Sequence, residues 1–287
     1  MGSPAWRASS CAPPQPPPHQ SRGRRRRLPR RPGRGRSGDR GRPTRSLQSW
    51  RQTRESRQPM PGQWAKDRRI RVESLLPTTK HRRGRRTARQ RAALERPSSY
   101  LVQGPIPDLS SVLDGAPVVL DVGFGTGEAV IAYATTDPST RILAVDMHTP
   151  GIGDLLAGIE ERGLTNVYVV EADVRPILTQ AIPEGTLMGV RTFFPDPWPK
   201  KRHHRRRLIQ RDFADQLAAC CATGAVWHIA TDWPDYAEHI ASAVNSSIYW
   251  QGGIIDRPAD RPVTRFERRG IAAGRAPIDL RFIRVLP

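Results

Sequence analysis

Four carboxylates stand where short apolar runs end. Asp121 precedes Gly123-Phe124-Gly125-Thr126-Gly127, Asp146 closes Ala144-Val145, Asp173 follows Glu171-Ala172, and Asp196 lies between Pro195 and Pro197. Glycines at a turn let the backbone bend sharply and let a ligand approach without a Cβ in the way. The spacing is G-x-G-x-G, and Glu128 stands where the dinucleotide fingerprint requires Gly or Ala. Asp121 ahead of the loop would repel a pyrophosphate and attract an ammonium or sulfonium. The pattern points to S-adenosylmethionine, with contacts from Asp121, Gly123, Gly125, Gly127, Asp146 and Asp173. Asp146 comes about 20 residues after the loop, the separation at which a carboxylate reaches ribose hydroxyls. Asp173 is placed to accept from an adenine amine. Taken singly, each acid is also compatible with a helix cap or a solvated loop.

After the next apolar run comes Phe193-Phe194-Pro195-Asp196-Pro197-Trp198-Pro199, then a cationic stretch over 200–207. Three prolines fix φ around Asp196 and Trp198 and hold those side chains stiffly. The alternative is a rigid turn whose Trp covers the core. Within the cationic stretch, His203 and His204 lack companion Cys or carboxylate ligands at a metal-binding spacing, so no metal is expected. Phosphate contact fits better: the stretch would hold a nucleic-acid backbone while a base enters the pocket.

Positioning these groups requires strands that end together. Apolar, β-rich runs over 117–122, 141–145, 167–171, 189–194 and 225–230 read as strands buried on both faces. Helical stretches over 128–135, 151–162, 205–221 and 236–244 separate them. Strands alternating with helices predict an α/β, Rossmann-like, mostly parallel sheet with helices on both faces and ligands at the strands' carboxyl ends.

The chain has 287 residues and a formal charge of +20. Residues 1–96 hold 28 Lys and Arg against five acids, whereas the remainder nets −3, so a near-neutral body carries a basic leader. Such a leader favours a polyanion, and nucleic acid is the usual one in a cell. Residues 1–61, rich in Arg, Pro, Ser and Gly, predict a disordered extension; 62–287 form the catalytic domain, with a basic arm over about 62–97. Met60 is a candidate start. No apolar run approaches a bilayer span, and the proline run over 12–18 is no signal peptide, so no membrane partner is expected. Trp6 stands where a myristoylation motif needs Ser or Thr. Three cysteines, two of them the neighbours Cys220 and Cys221, predict a reduced, cytoplasmic protein.

Over residues 80–287 the chain resembles the bacterial tRNA (guanine-N7-)-methyltransferases. The resemblance rests on Arg82-Arg83-Gly84-Arg85-Arg86-Thr87 with Gln90, Asp121 to Gly127, Asp146-Met147-His148 with Pro150-Gly151, and Asp173. It continues through Pro195 to His204, Thr231-Asp232-Trp233 with Tyr236-Ala237, and Thr264-Arg265-Phe266-Glu267. The Pro-Asp-Pro-Trp block with its basic residues and paired histidines is highly specific to that family; the glycine loop is shared by most methyltransferases. The resemblance implies cofactor contacts from Asp121, Asp146, Asp173 and Asp196. It implies tRNA contacts from Lys200, Asp232, Thr264, Arg265, Phe266 and Glu267, and methylation of the variable-loop guanine. Asp121 and Asp146 stand where the family more often has Glu, Arg265 where Lys is usual, and Thr79 where an aromatic is frequent. The shorter acids keep the charge but alter contact geometry.

Guanine N7 has a free lone pair and no proton, so its methylation needs no general base. Alignment is the main demand and can supply up to about 7–11 kcal/mol of the barrier. Positive charge develops on the purine, and a carboxylate at Asp196 or Asp232 would stabilise it, with Asp196 taken as the catalytic residue. A monomer is expected. Two other readings are a non-catalytic RNA-binding protein on a Rossmann-like scaffold and an NAD-dependent oxidoreductase; the acids at the strand ends oppose the first, and the glycine spacing with Asp121 opposes the second.

Overall fold

The computed structural model describes residues 85–96, 98–102, 104 and 107–286. The expected disordered extension over 1–61, the candidate start Met60, and residues 62–84 of the basic arm lie outside them.

Eight strands form one sheet: β1 (Leu101–Val102), β2 (Val118–Val122), β3 (Arg141–Asp146), β4 (Val167–Glu171), β5 (Leu187–Phe193), β6 (Cys221–Thr231), β7 (Trp250–Ile255) and β8 (Ile278–Arg284). Their order is β1-β4-β3-β2-β5-β6-β8-β7. The first six run parallel, while β8 is antiparallel to β6 and β7 to β8. From β2 the chain builds outward through β3 and β4, then returns to place β5 on the other side of β2. That reversal opens a crevice at the carboxyl ends of the strands, the place where open α/β sheets bind ligands.

Eight α-helices accompany the sheet among the described residues: α1 (Ala88–Glu95), α2 (Ser110–Leu113), α3 (Glu128–Thr136), α4 (Thr149–Arg162), α5 (Val174–Gln180), α6 (Arg211–Cys220), α7 (Pro234–Asn245) and α8 (Arg265–Ala272). The alternating residues of β3 explain why its run is apolar throughout. Ile142 and Ala144 join a core with Val130 of α3 and Ile152, Leu155 and Ile159 of α4. Leu143 and Val145 face the opposite core, with Ile177 of α5, Phe213 and Leu217 of α6, and Ile240 of α7. Burial on both faces is what parallel strands between two helical layers require.

Thr87 and Gln90, two residues of the N-terminal motif, form a capping box at α1: Gln90 N donates to Thr87 Oγ1 at 3.2 Å and Thr87 N to Gln90 Oε1 at 2.8 Å. Gln90 Nε2 then donates to Asp154 of α4 at 2.9 Å, docking α1 on the domain.

The structure corrects the single helix expected over 205–221. A 3₁₀ helix spans Lys201–Arg206, the chain is extended at Arg207 and Gln210, and α6 begins only at Arg211. Arg207 breaks the run because its guanidinium is buried. It donates through Nε to Pro197 O at 3.0 Å, pairs with Asp235 of α7 and lies 4.8 Å above the Tyr236 ring. Also unforeseen were α5, α8 and the antiparallel pair β7 and β8. Among the described residues no helix is long and apolar enough to cross a membrane, and no group of three metal-ligating side chains occurs.

Candidate active site

The ends of β2, β3, β4 and β5 enclose one cleft. Gly123 and Gly125 form its floor with Asp146, Met147 and His148; Ala172, Asp173, Val174 and Leu208 line one side; Phe194, Pro195, Asp196, Trp198, Arg206 and Phe266 close the mouth. Six of the residues singled out from the sequence therefore meet here: Gly123, Gly125, Asp146, Asp173, Asp196 and Phe266.

The glycine loop is held by its own hydrogen bonds. Gly123 N donates to Val145 O at 2.8 Å, Gly127 N to Phe124 O at 3.0 Å, and Gly125 N to the Asp146 carboxylate at 2.8 Å. The N–H groups of all three glycines are thus engaged within the protein and cannot cradle a phosphate in the way a dinucleotide loop does. Gly125 has φ +61°, and a Cβ there would lie 2.7 Å from Cε2 of Phe266, so the aromatic ring rests directly on the loop. Gly127 does not line the cleft: a Cβ there would strike Leu155 of α4, so it serves the packing of loop on helix.

The acids differ in their surroundings. Asp146 accepts from Gly125 N and, at 2.9 Å, from His148 N; burial raises its pKa, partly offset by these donors. Asp173 caps α5 through Arg175 N and pairs with the Arg175 guanidinium, while its side chain still borders the cleft. Asp121 lies beneath the floor, 3% exposed, and its Oδ2 is buried without a hydrogen-bond partner. Burial pushes its pKa up to about 7, against the pull of Arg191.

The Pro-Asp-Pro-Trp segment is conformationally strained. Phe194 (φ 55°) and Trp198 (φ 45°) are the described non-glycine residues with positive φ, and both line the cleft. Such conformations cost on the order of 1–3 kcal/mol each and persist where surrounding contacts impose them. Arg207 supplies one such contact at Pro197. Trp198 Nε1 is buried and unpartnered, a donor aimed at no protein group. Arg206 stacks 5.0 Å from the Trp198 ring, and His203 meets it edge-on at 5.8 Å. Burial and the surrounding cations Arg202, Arg206, Lys200 and Arg205 lower the His203 pKa.

The remaining expected contacts lie elsewhere. Lys200 is exposed at the start of the 3₁₀ helix. Asp232 is buried behind α8, where Arg275 Nε donates to it at 2.8 Å. Thr264 caps α8 by accepting from Glu267 N, Arg265 is exposed, and Glu267 is buried among guanidinium groups. Sequence reasoning missed Glu128, Arg191 and Arg207 as parts of the site's frame. Only Glu128 carried a signal, by departing from the dinucleotide fingerprint.

A cleft floored by a carboxylate-braced loop, bordered by three acids and walled by Val122, Val145, Val174, Leu208 and Phe266 suits a cationic ligand with apolar surface. A family model described as a putative methyltransferase matches residues 115–280. The tRNA (guanine-N(7)-)-methyltransferase of Streptomyces avermitilis is 44% identical over 226 residues, covering 76% of this chain and 77% of that protein. That of Alkalilimnicola ehrlichii is 43% identical over 209 residues, covering 69% and 88%.

Proposed function

This chain belongs to the tRNA (guanine-N7-)-methyltransferase family, and we propose that it transfers the methyl group of S-adenosylmethionine to N7 of a guanine in tRNA, the variable-loop guanine. The observation that carries this reading is the convergence of Asp146, Asp173 and Asp196 on a glycine loop whose N–H groups are already bonded. That site repels a pyrophosphate and receives an ammonium and a sulfonium. The buried carboxyl of Asp121 beneath it acts on such a ligand through its charge rather than by contact.

When bound, S-adenosylmethionine supplies a methyl group made electrophilic by its sulfonium. Asp146 and Asp173 would hold that cofactor, with Gly123 and Gly125 as its floor and the expected contact of Asp121 reduced to its charge from beneath. The nucleophile has no proton to lose, so the chain needs no base; its work is alignment and charge stabilisation. Pro195, Pro197 and Pro199, with Arg207 bonded to Pro197 O, keep Asp196 in place. Asp196 accepts from guanine N1–H and the exocyclic amine, which adenine cannot match, and stabilises the cation that grows on the purine. Lys200 and the exposed Lys201, Arg202 and Arg205 hold phosphates and fix the RNA's register without reading its sequence. We assign it to the cytoplasm as a monomer; Cys220 and Cys221 are buried.

The test is transfer of labelled methyl from S-adenosylmethionine to unmodified tRNA, with ribosomal RNA in parallel. Label in tRNA alone is expected. Label only in ribosomal RNA, or cofactor binding without any transfer, would overturn the reading.

A further inference from the structure

The segment Thr264 to Glu267, which the resemblance gives to the substrate as one block, divides in the structure into a ligand wall and its supports. Phe266 is 46% exposed, lines the cleft and lies on Gly125. Glu267, one position further along α8, points the other way and is 2% exposed. Its carboxylate is gripped by two guanidinium groups: Arg261 at 2.8 and 3.0 Å, and Arg257 Nε at 2.8 Å. Arg261 is itself fully buried and 2.7 Å from Asp279 of β8, which bonds His228 of β6 at 2.8 Å. The same guanidinium lies 5.7 Å from the Phe194 ring at the cleft. Both Glu267 oxygens already accept from guanidinium groups.

A second carboxylate holds the same helix from outside. Glu128, the first residue after the glycine loop, accepts from the backbone N of Arg265 at 2.5 Å and from the Arg268 guanidinium at 2.7 Å. A carboxylate at a helix N-terminus satisfies an orphan N–H and complements the helix dipole. The loop and α8 are thereby fastened across 137 residues of chain.

We propose that Phe266 is the wall of the cofactor pocket over Gly125, and that Glu267 from inside and Glu128 from outside are positioning residues that hold it there rather than contacts to RNA. The proposal rests on the cofactor reading above. It predicts that either carboxylate affects cofactor affinity only through the ring.

Titration of the full chain with S-adenosylhomocysteine tests it, using F266A, E128A and the double variant. F266A should weaken binding about tenfold, the equivalent of one aromatic contact. E128A should weaken it severalfold in the parent and not at all in the F266A background, with only a small fall in melting temperature, the same in both backgrounds, from the lost acceptor at Arg265 N. E267Q leaves two guanidiniums short of an acceptor and should melt earlier; whether or not it folds, the Glu128 cycle decides. E128A weakening binding equally in both backgrounds, or in neither, would overturn the clamp, as would E267Q losing tRNA affinity with an unchanged melting temperature. No binding by the parent chain would instead overturn the cofactor reading, and the clamp with it.

Discussion

Asp121 and Arg191 are direct register partners on the adjacent strands β2 and β5, and each keeps a buried polar atom, Oδ2 and Nη1, without a hydrogen-bond partner. The guanidinium lies 3.6 Å over the Tyr133 ring, which leaves the carboxylate as its Coulombic partner rather than its hydrogen-bond acceptor. Burial raises the Asp121 pKa to about 7 and lowers that of Arg191.

The folded Asp121 carboxyl binds its proton more tightly than in the unfolded chain, where its pKa is about 3.9. Its contribution to stability is therefore present below pH 4 and lost as pH rises through 7. D121N removes that loss, so its melting temperature should equal or fall below the parent's at pH 5 and exceed it at pH 8. Affinity for S-adenosylhomocysteine should rise from pH 6 to pH 8 in the parent and stay flat in D121N. A melting difference independent of pH would refute the assignment.

Gly151 sits in α4, where alanine is ordinarily the better helix former. Here a Cβ would fall 1.8 Å from Gly125 O, so Pro150-Gly151 is the seat of the glycine loop. Overpacking of this kind costs about 1–3 kcal/mol. G151A should accordingly lower the melting temperature by about 2–10 °C in a domain of this size and weaken S-adenosylhomocysteine binding. A variant as stable as the parent would show that the loop can move.

Replacing Asp196 tests the chemical step. D196A should lower kcat by about 10²–10³, the loss typical of one electrostatic contact made in the transition state. The tRNA Kd should change little. Equal losses in both quantities would place Asp196 in ground-state binding.

K200A removes an exposed cation beside the cleft. Its tRNA affinity should fall, and the slope of log affinity against log salt should flatten by up to about one unit for a lost phosphate contact. An unchanged slope would remove Lys200 from the RNA path.

The acids at the strand ends were legible in the sequence because strands buried on both faces leave continuous apolar runs, and a charged residue marks where each run stops. Val145-Asp146 and the Pro-Asp-Pro-Trp block are of this kind. The Arg207 break was not legible, since residues 205–221 have helical periodicity and the burial of one arginine depends on Asp235 and Pro197. Strand β7 was hidden by Gly252 and Gly253 and by its exposed Ile254. The network of buried His228, Arg261, Glu267 and Asp279 with half-buried Arg257 spans 51 residues, and no local pattern joins its members. The resemblance gave Glu267 to the substrate as part of one block, and its bonds to Arg257 and Arg261 had no signal in that block.

Methylation at N7 of one guanine can be read directly. Unmodified tRNA methylated by the enzyme would be reduced and treated with aniline, which cleaves the chain at N7-methylguanine. Cleavage is expected at a single variable-loop guanine, dependent on S-adenosylmethionine and lost with D196A. Methylated tRNA that resists cleavage, or cleavage at many guanines, would contradict it.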